Sequence, residues 1–357
     1  MMRWQFVVAA MLVAGCATAT ELPNTSNTPV PTSLLPPSPT AAPPAPARDV
    51  TLAFAGDVHF AGRVESRLTT HPRDVLGPIG ATLAAADVGM VNLESAVTER
   101  GTPEPKQFHF RAPASALTAL RDEGVDIVTM ANNHGVDYGS AGLRDTLAAI
   151  STTGVPVVGI GANAAQAYAP HVVTVRGTRV AIVGASQVRD RTIAAWTAGG
   201  SSPGIASAFE VDQLVNAVRT AKARADVVVV YLHWGDEGEA CPTPIMRSIA
   251  GRLAAAGAAA VVGTHAHLLL GDGWLGQTYV AYGLGNFLWW RDNAYSNDTG
   301  VITLRVRANR VIAAQLSPAR IDSAGVPRPA VGDQANRILT QFARLDRCAR
   351  LSTTPSG

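Results

Sequence analysis

Short apolar runs alternate with amphipathic segments along most of this chain, and almost every apolar run ends in a polar cluster. Residues 50–55 read as a strand closed by Gly56-Asp57-Val58-His59. A helical pattern over 79–86 leads to a buried strand at 88–91, which runs into Asn92-Leu93-Glu94-Ser95. Residues 101–113 are irregular and carry Lys106, His109 and Arg111; residues 113–123 read as a helix stopped by Gly124. Strand 125–130 delivers Ala131-Asn132-Asn133-His134, and a helix from Ser140 or Ala141 to about Ser151 ends before Gly154. Short strands follow near 155–158, 172–175 and 180–183, then a polar, Gly-rich stretch, 186–205, that reads as a long surface loop. A helix over 208–223 precedes the β-branched run 227–232 and His233-Trp234-Gly235-Asp236-Glu237. Thr243-Pro244 pairs an N-cap residue with Pro at the first helical position, and Ile245, Ile249 and Leu253 then share one face. Strand 259–263 ends in Thr264-His265-Ala266-His267; strands at 277–282, 301–306 and 311–316 and a helix at 333–345 close the chain.

Strands alternating with helices imply an α/β fold with helices on the sheet faces. Each polar cluster falls at the carboxyl end of a strand, where open α/β sheets place their ligands. No period of solenoid length repeats. With 357 residues, 47% of them hydrophobic, the chain can bury one large core or two small ones. Its formal charge of +2 and lack of basic runs speak against a nucleic-acid partner.

The amino terminus has a different character. Arg3 precedes an apolar run, Phe6 to Ala14, too short to span a bilayer. It ends Leu12-Val13-Ala14-Gly15-Cys16, the pattern of a secretory signal. The placement of Cys16 resembles the lipobox of bacterial lipoproteins, which implies cleavage before Cys16 and a lipid anchor there; an ordinary signal peptide with an incidental Cys is the alternative. Residues 17–48 are rich in Pro, Thr and Ser and lack apolar surface. The expected organisation is therefore a signal over 1–16, a disordered tether over 17–48 and a globular domain over 49–350.

Five strand-end clusters hold the oxygen and imidazole groups: Asp57/His59, Asn92/Glu94, Asn133/His134, His233 and His265/His267. Neutral imidazole is the commonest side-chain metal ligand. On an extended segment, His265 and His267 leave the backbone on the same side. His71, His109 and His171 lack the strand-end context and read as structural or surface groups.

Taken in order, these clusters resemble the motifs of calcineurin-like metallophosphoesterases. Asn92-Leu93-Glu94, Ala131-Asn132-Asn133-His134, His233-Trp234-Gly235 and Gly283-Leu284-Gly285-Asn286-Phe287 resemble the CapA family, named for poly-γ-glutamate capsule biosynthesis. The resemblance implies a sandwich of mixed sheets flanked by helices, with a metal site at the strand carboxyl ends. It also implies two divalent transition-metal ions, Mn, Fe, Zn or Co: Asp57, His59 and His267 at one, Asn133, His233 and His265 at the other, Glu94 bridging. His134 would protonate the leaving group or stabilise the transition state. The chain departs from the superfamily pattern in offering Asn92 and Glu94 for a bridging Asp, and Asn-Asn-His for Gly-Asn-His. His59 restores a residue that many CapA-like chains lack. Asn92, Trp234 and Glu237 are candidates to orient ligands or touch substrate, whereas Phe287 and Leu288 read as core. Lys106 and Arg111 could meet an anionic substrate, but an ordinary solvated loop is the preferred reading.

The implied protein is a lipid-anchored, metal-dependent hydrolase on the extracytoplasmic face of a bacterial membrane, cleaving or transferring an amide or phosphoester bond of an anionic polymer such as poly-γ-glutamate. The alternative is a non-catalytic binding or export partner of a membrane poly-γ-glutamate synthase. A solute-binding lipoprotein would share tether and fold but leaves the ordered His/Asp/Asn series unexplained. The other two cysteines, Cys241 and Cys348, form the expected disulfide, since an oxidising compartment favours bridging; two unpaired thiols are the alternative.

Overall fold

The computed structural model describes residues 49–356, so the signal, the tether and Cys16 lie outside the described residues. The strands that build the two main sheets are β1 (Val50–Val58), β2 (Val88–Leu93), β3 (Ile127–Thr129), β4 (Val157–Val158), β5 (His171–Val175), β6 (Thr178–Ser186), β7 (Val227–Trp234), β8 (Ala260–His265), β9 (Leu269–Leu275), β10 (Thr278–Leu284), β11 (Asn286–Leu288), β12 (Asp298–Arg307), β13 (Arg310–Ile321) and β14 (Pro327–Pro329). The first sheet runs β14-β13-β12-β1-β2-β3-β4, with β11 also on β1; the second runs β9-β10-β8-β7-β6-β5. Both are mixed. β1, β2, β3 and β4 are mutually parallel, as are β6, β7, β8 and β10, while β12 to β14 and the pairs β5/β6 and β9/β10 are antiparallel.

Side-chain alternation makes this a sandwich. Val227, Val229 and Tyr231 of β7 meet Leu52 and Phe54 of β1 between the sheets. Val228, Val230 and Leu232 turn instead to a second core against α4 (Val211–Lys222) and α5 (Pro244–Ala255). Ala53 and Ala55 turn to a third core, under α1 (Ser115–Asp122) and α2 (Gly139–Thr153). The Tyr231 hydroxyl donates to the Ala55 carbonyl at 2.5 Å, tying the sheets together next to the site. The expected α/β sandwich of mixed sheets flanked by helices is what the chain forms.

Several helix signals act as read. Thr243 caps α5, accepting from the Met246 amide, and Gly154 closes α2 at φ 66°. The stretch 186–205 is not a surface loop. Asp190 caps a further helix, α3 (Arg191–Trp196), accepting from the Ile193 amide. Thr192 and Ile193 are buried, and Gly204–Ile205 pairs with Ile160–Gly161. The closing helix, α6 (Gly332–Ala349), is longer than read, and the chain beyond it still packs: Ser352 exchanges backbone hydrogen bonds with Trp274. No helix of the described residues is long and apolar enough to cross a membrane.

Candidate metal centre

Of the polar residues expected just beyond the strands, Asp57, Asn92, His233 and His265 belong to the closing residues of the strands themselves, and His59, Glu94, Asn133, His134 and His267 follow them. Asp57 ends β1 in register with Asn92 of β2, and His233 and His265 lie on neighbouring β7 and β8. The ladders carry these groups inside: Asp57, His59 and Asn92 are 0% exposed and Glu94 is 1% exposed. Gly56 lets β1 approach this closely, because a Cβ there would lie 1.9 Å from the Gly285 carbonyl oxygen. His265 and His267 are not on extended backbone. Their φ values are 93° and 59°, the left-handed region, and this turn at the end of β8 brings their rings to 5.8 Å.

Two triads emerge, each with its ligand atoms within 4.8 Å of one another: Asp57, Glu94 and His267, and Glu94, His233 and His265. Glu94 belongs to both. A third group, Glu237 with His265 and His267, lies at the mouth. Asn133 joins the second triad through its Oδ1, 2.8 Å from His233 Nε2. His267 Nδ1 is 3.3 Å from Asp57 Oδ2, and His233 Nε2 is 3.3 Å from Glu94 Oε1. His59 falls outside these groups. Its ring is packed edge-on against Phe110 and Trp289, at centroid distances of 4.3 and 4.4 Å.

Electrostatics divide the acids. Burial works against ionising Asp57, but His267, His233 and Asn92 outweigh it and hold its carboxyl below the ordinary range. Burial and the neighbouring Asp57 charge push Glu94 well above it. Burial lowers His59, His134 and His265 well below an ordinary imidazole and His233 to about 4. For His267, burial is overcome by Asp57, which raises it. A set of buried neutral imidazoles around carboxylates suits a transition metal. The residues fit a cation on a second count: both His59 ring nitrogens, Glu94 Oε2 and His265 Nδ1 are buried without a hydrogen-bond partner.

Asn92 is a holder. Its amide donates to Asp57 Oδ1 at 2.8 Å and faces His233 Nδ1 at 3.2 Å. Its carbonyl accepts from Asn132, which also donates to the Leu93 carbonyl and accepts from the His134 amide. Trp234 does not face the site. One residue along β7 from His233, it points into the outer core and donates to the Tyr282 carbonyl at 2.9 Å. Glu237 is 64% exposed, its Oε1 4.0 Å from His267 Nε2.

Three contributors were given no site role from sequence. Asp137 Oδ2 lies 2.7 Å from His134 Nδ1 and accepts from the Phe110 amide, also at 2.7 Å. Lys106 is not a solvated loop residue: 14% exposed, it lies 2.5 Å from Asp137 Oδ1 and donates to the Asn133 carbonyl. Asn286, fully buried, pairs in register with Asp57 and leaves its Oδ1 unpartnered. Asn286 lay within a motif that carried the resemblance and follows a strand, Lys106 was legible only as a loop cation, and Asp137 carried no local signal. Arg111 remains at the surface, over the Tyr138 ring. A cleft of about 90 Å³ opens over His134 and His267, walled by Phe110, Trp289, Trp290 and Tyr295.

The α6 helix is tied to this region. Cys348, near its end, is joined to Cys241 of the loop after His233, with Cα atoms 5.6 Å apart.

Residues 51–289 match the family model described as bacterial capsule synthesis protein PGA_cap. The chain is 28% identical to the capsule biosynthesis protein CapA of Bacillus anthracis over 305 residues, which cover 83% of this chain and 73% of that one. It is 33% identical over 241 residues to a probable polyglutamine synthesis accessory protein of Mycobacterium tuberculosis, covering 62% and 60%. Among solved structures it is similar to the sulfate thiohydrolase SoxB of Thermus thermophilus, 14% identical at a TM-score of 0.45, covering 86% of this chain and 62% of that one.

Proposed function

This chain belongs to the bacterial capsule synthesis family PGA_cap, and we propose that it is a metal-dependent hydrolase or transferase acting on a poly-γ-glutamate or related anionic envelope polymer. The observation that carries the reading is Glu94, shared by two buried ligand triads. Asp57 and His267, with His59, would hold one divalent ion, and His233, His265 and Asn133 the other. Such ions, when bound, supply Lewis acidity and lower the pKa of a bound water.

The protein's own groups set the geometry for that chemistry. Asn92 and Asn132 lock the carboxylate of Asp57 and the main chain of His134 into one network. Asp137 accepts from His134 Nδ1–H, so Nε2 faces the cleft, 3.9 Å from Glu94 Oε1. There it can take a proton from an incoming nucleophile or pass one to a leaving group. Phe110, Trp289 and Trp290 wall the cleft with apolar surface, which limits water and strengthens the interactions inside. The lipid anchor at Cys16 and an extracytoplasmic position on the bacterial cell membrane belong to the same proposal, because a tethered enzyme meets an exported polymer where it emerges. A non-catalytic role beside a membrane synthase is the second reading, favoured by the description of the mycobacterial relative as an accessory protein.

Metal analysis of the purified protein tests the site, and turnover of γ-glutamyl oligomers and of a generic phosphodiester, with and without chelator, tests the reaction. Asp57→Ala, His233→Ala and His267→Ala should each lower metal content, while His134→Ala keeps the metal and loses turnover. Full metal stoichiometry in all three ligand variants would sink the assignment. A metal-replete wild type that turns over neither substrate would favour the accessory reading.

A further inference from the structure

A groove next to the cleft takes no part in the site described above. Leu268 and Leu269, directly after His267, form one wall, and Ile338, Phe342 and Leu345 of α6 form the other, enclosing about 340 Å³. Tyr295, 67% exposed, lines both this groove and the cleft over His134 and His267, so the two spaces meet at its ring. The loop after His233 also serves both, Glu237 lining the cleft and Ala240 the groove.

The groove is built firmly. Its α6 wall packs backbone to strand on β9, where a Cβ at Gly271 would lie 2.6 Å from the Leu345 carbonyl carbon. The Cys241–Cys348 bridge pins the same helix to the Ala240 loop. Residues 332–349 fall outside the 51–289 that match the family model.

Its chemistry is amphiphilic. The floor is aliphatic and aromatic, and the rim carries Asp298, Gln341 and Arg344. Asp298 is engaged by Arg320 and Arg337. Arg344 has no carboxylate partner among the described residues, and neither has Arg291, which stands in the cleft with its guanidinium 5.9 Å from the Trp290 ring. An apolar floor with one uncompensated cation fits a chain that alternates methylene runs with pendant carboxylates, which is the make-up of γ-linked glutamate.

We propose that this groove is a second subsite, holding the units of an anionic γ-glutamyl chain that follow the one at the metal centre, and that Arg344 is a specificity-determining residue that pairs with a pendant carboxylate. The inference rests on the polymer reading above and does not require turnover. Isothermal titration of the full chain, in a His134→Ala background so that ligand is not consumed, separates the two. The probes are a γ-glutamyl dimer and octamer and an α-linked glutamate octamer. The γ-octamer should bind more tightly than the dimer. Arg344→Gln should weaken the γ-octamer about tenfold, the scale of one charge-assisted contact, and leave the dimer unchanged. Tyr295→Ala should likewise weaken the γ-octamer and leave the dimer unchanged. An octamer no tighter than the dimer, an equal loss on both lengths, or an equal loss on the α-linked octamer would overturn the subsite. If the length-dependent loss appears and the wild type shows no turnover, the subsite stands and the hydrolase reading falls.

Discussion

Replacing Lys106 by Met should destabilise the protein in a way that depends on pH, because of where Asp137 sits. The Asp137 side chain is 0% exposed and that of Lys106 14%. Burial raises Asp137 to about 6, against the pull of Lys106 and of the Phe110 amide. Removing one partner of a buried pair costs about 3–5 kcal/mol, and the residual exposure of Lys106 places this pair near 3. Without the ammonium, the folded-state pKa of Asp137 climbs further above its unfolded value. Below about pH 6 the folded wild type and variant both keep Asp137 protonated, so the charge component of the loss vanishes. What is left there is the lost contact to the Asn133 carbonyl, about 1 kcal/mol. Above pH 6 the wild type ionises against Lys106 and the variant resists, so the loss grows towards its full size by pH 8. Urea denaturation of both proteins at pH 5 and pH 8 measures this directly. Lys106→Met/Asp137→Asn should recover most of the loss at pH 8. An equal loss at both pH values, or no recovery in the double variant, would refute the buried-pair argument.

Other consequences are as direct. Asp272, raised to about 6 by burial and the nearby Asp346 despite a hydrogen bond from Tyr279, contributes stability that is present below about pH 4 and lost as pH rises through 6. Asp272→Asn should therefore gain on wild type by about 3 kcal/mol between pH 4 and pH 7 in matched denaturation curves; a constant difference would contradict it. The Cys241–Cys348 bridge closes a separation of 107 residues, so the chain-entropy model puts the loss on mutating both to Ser at about 4–5 kcal/mol as an upper figure. Two freely alkylated thiols in protein purified from the envelope would end the disulfide proposal. Cys16→Ser should leave the protein unprocessed or release it from membranes, and unchanged detergent partitioning of a processed variant would rule out lipidation there.

How far the site was legible depended on whether its chemistry was written locally. Apolar runs located β1, β2, β7 and β8, and the polar residues at their ends were visible because hydrophobic patterning stops abruptly there. Alternation along β7 also contained the placement of Trp234: His233 faces the site, so its neighbour faces the outer core. The convergence of His265 and His267, by contrast, comes from two left-handed residues, which no side-chain pattern announces. β9 was missed because Gly271, Asp272 and Gly273 interrupt its apolar run, and that interruption serves the close approach of α6. Stretch 186–205 looked polar because its buried groups are short and capped. Asp190 and Ser186 accept from main-chain amides three and two residues on, and Thr192 donates to the Asn133 carbonyl, a partner that only the fold supplies.

The site collects groups that would each be better off in water. Left-handed φ at two non-glycine residues costs on the order of 1–3 kcal/mol apiece, and buried, unpartnered imidazole and carboxylate atoms add to it. Asp57 is compensated by Asn92 and His267. Glu94 Oε2, His59 and His265 Nδ1 are not compensated by any protein group. Those are donor atoms for cations, spread over both triads and the adjoining aromatic wall. The rest of the fold, with a strand ladder on each side of β1 and β8, is rigid enough to hold them in place. A cation that satisfied them would bind the folded chain alone, and its binding energy would add to fold stability. The cost of the buried ligands and the reason for their burial are thus the same: a preorganised site is one whose ligands have no better partner than the metal.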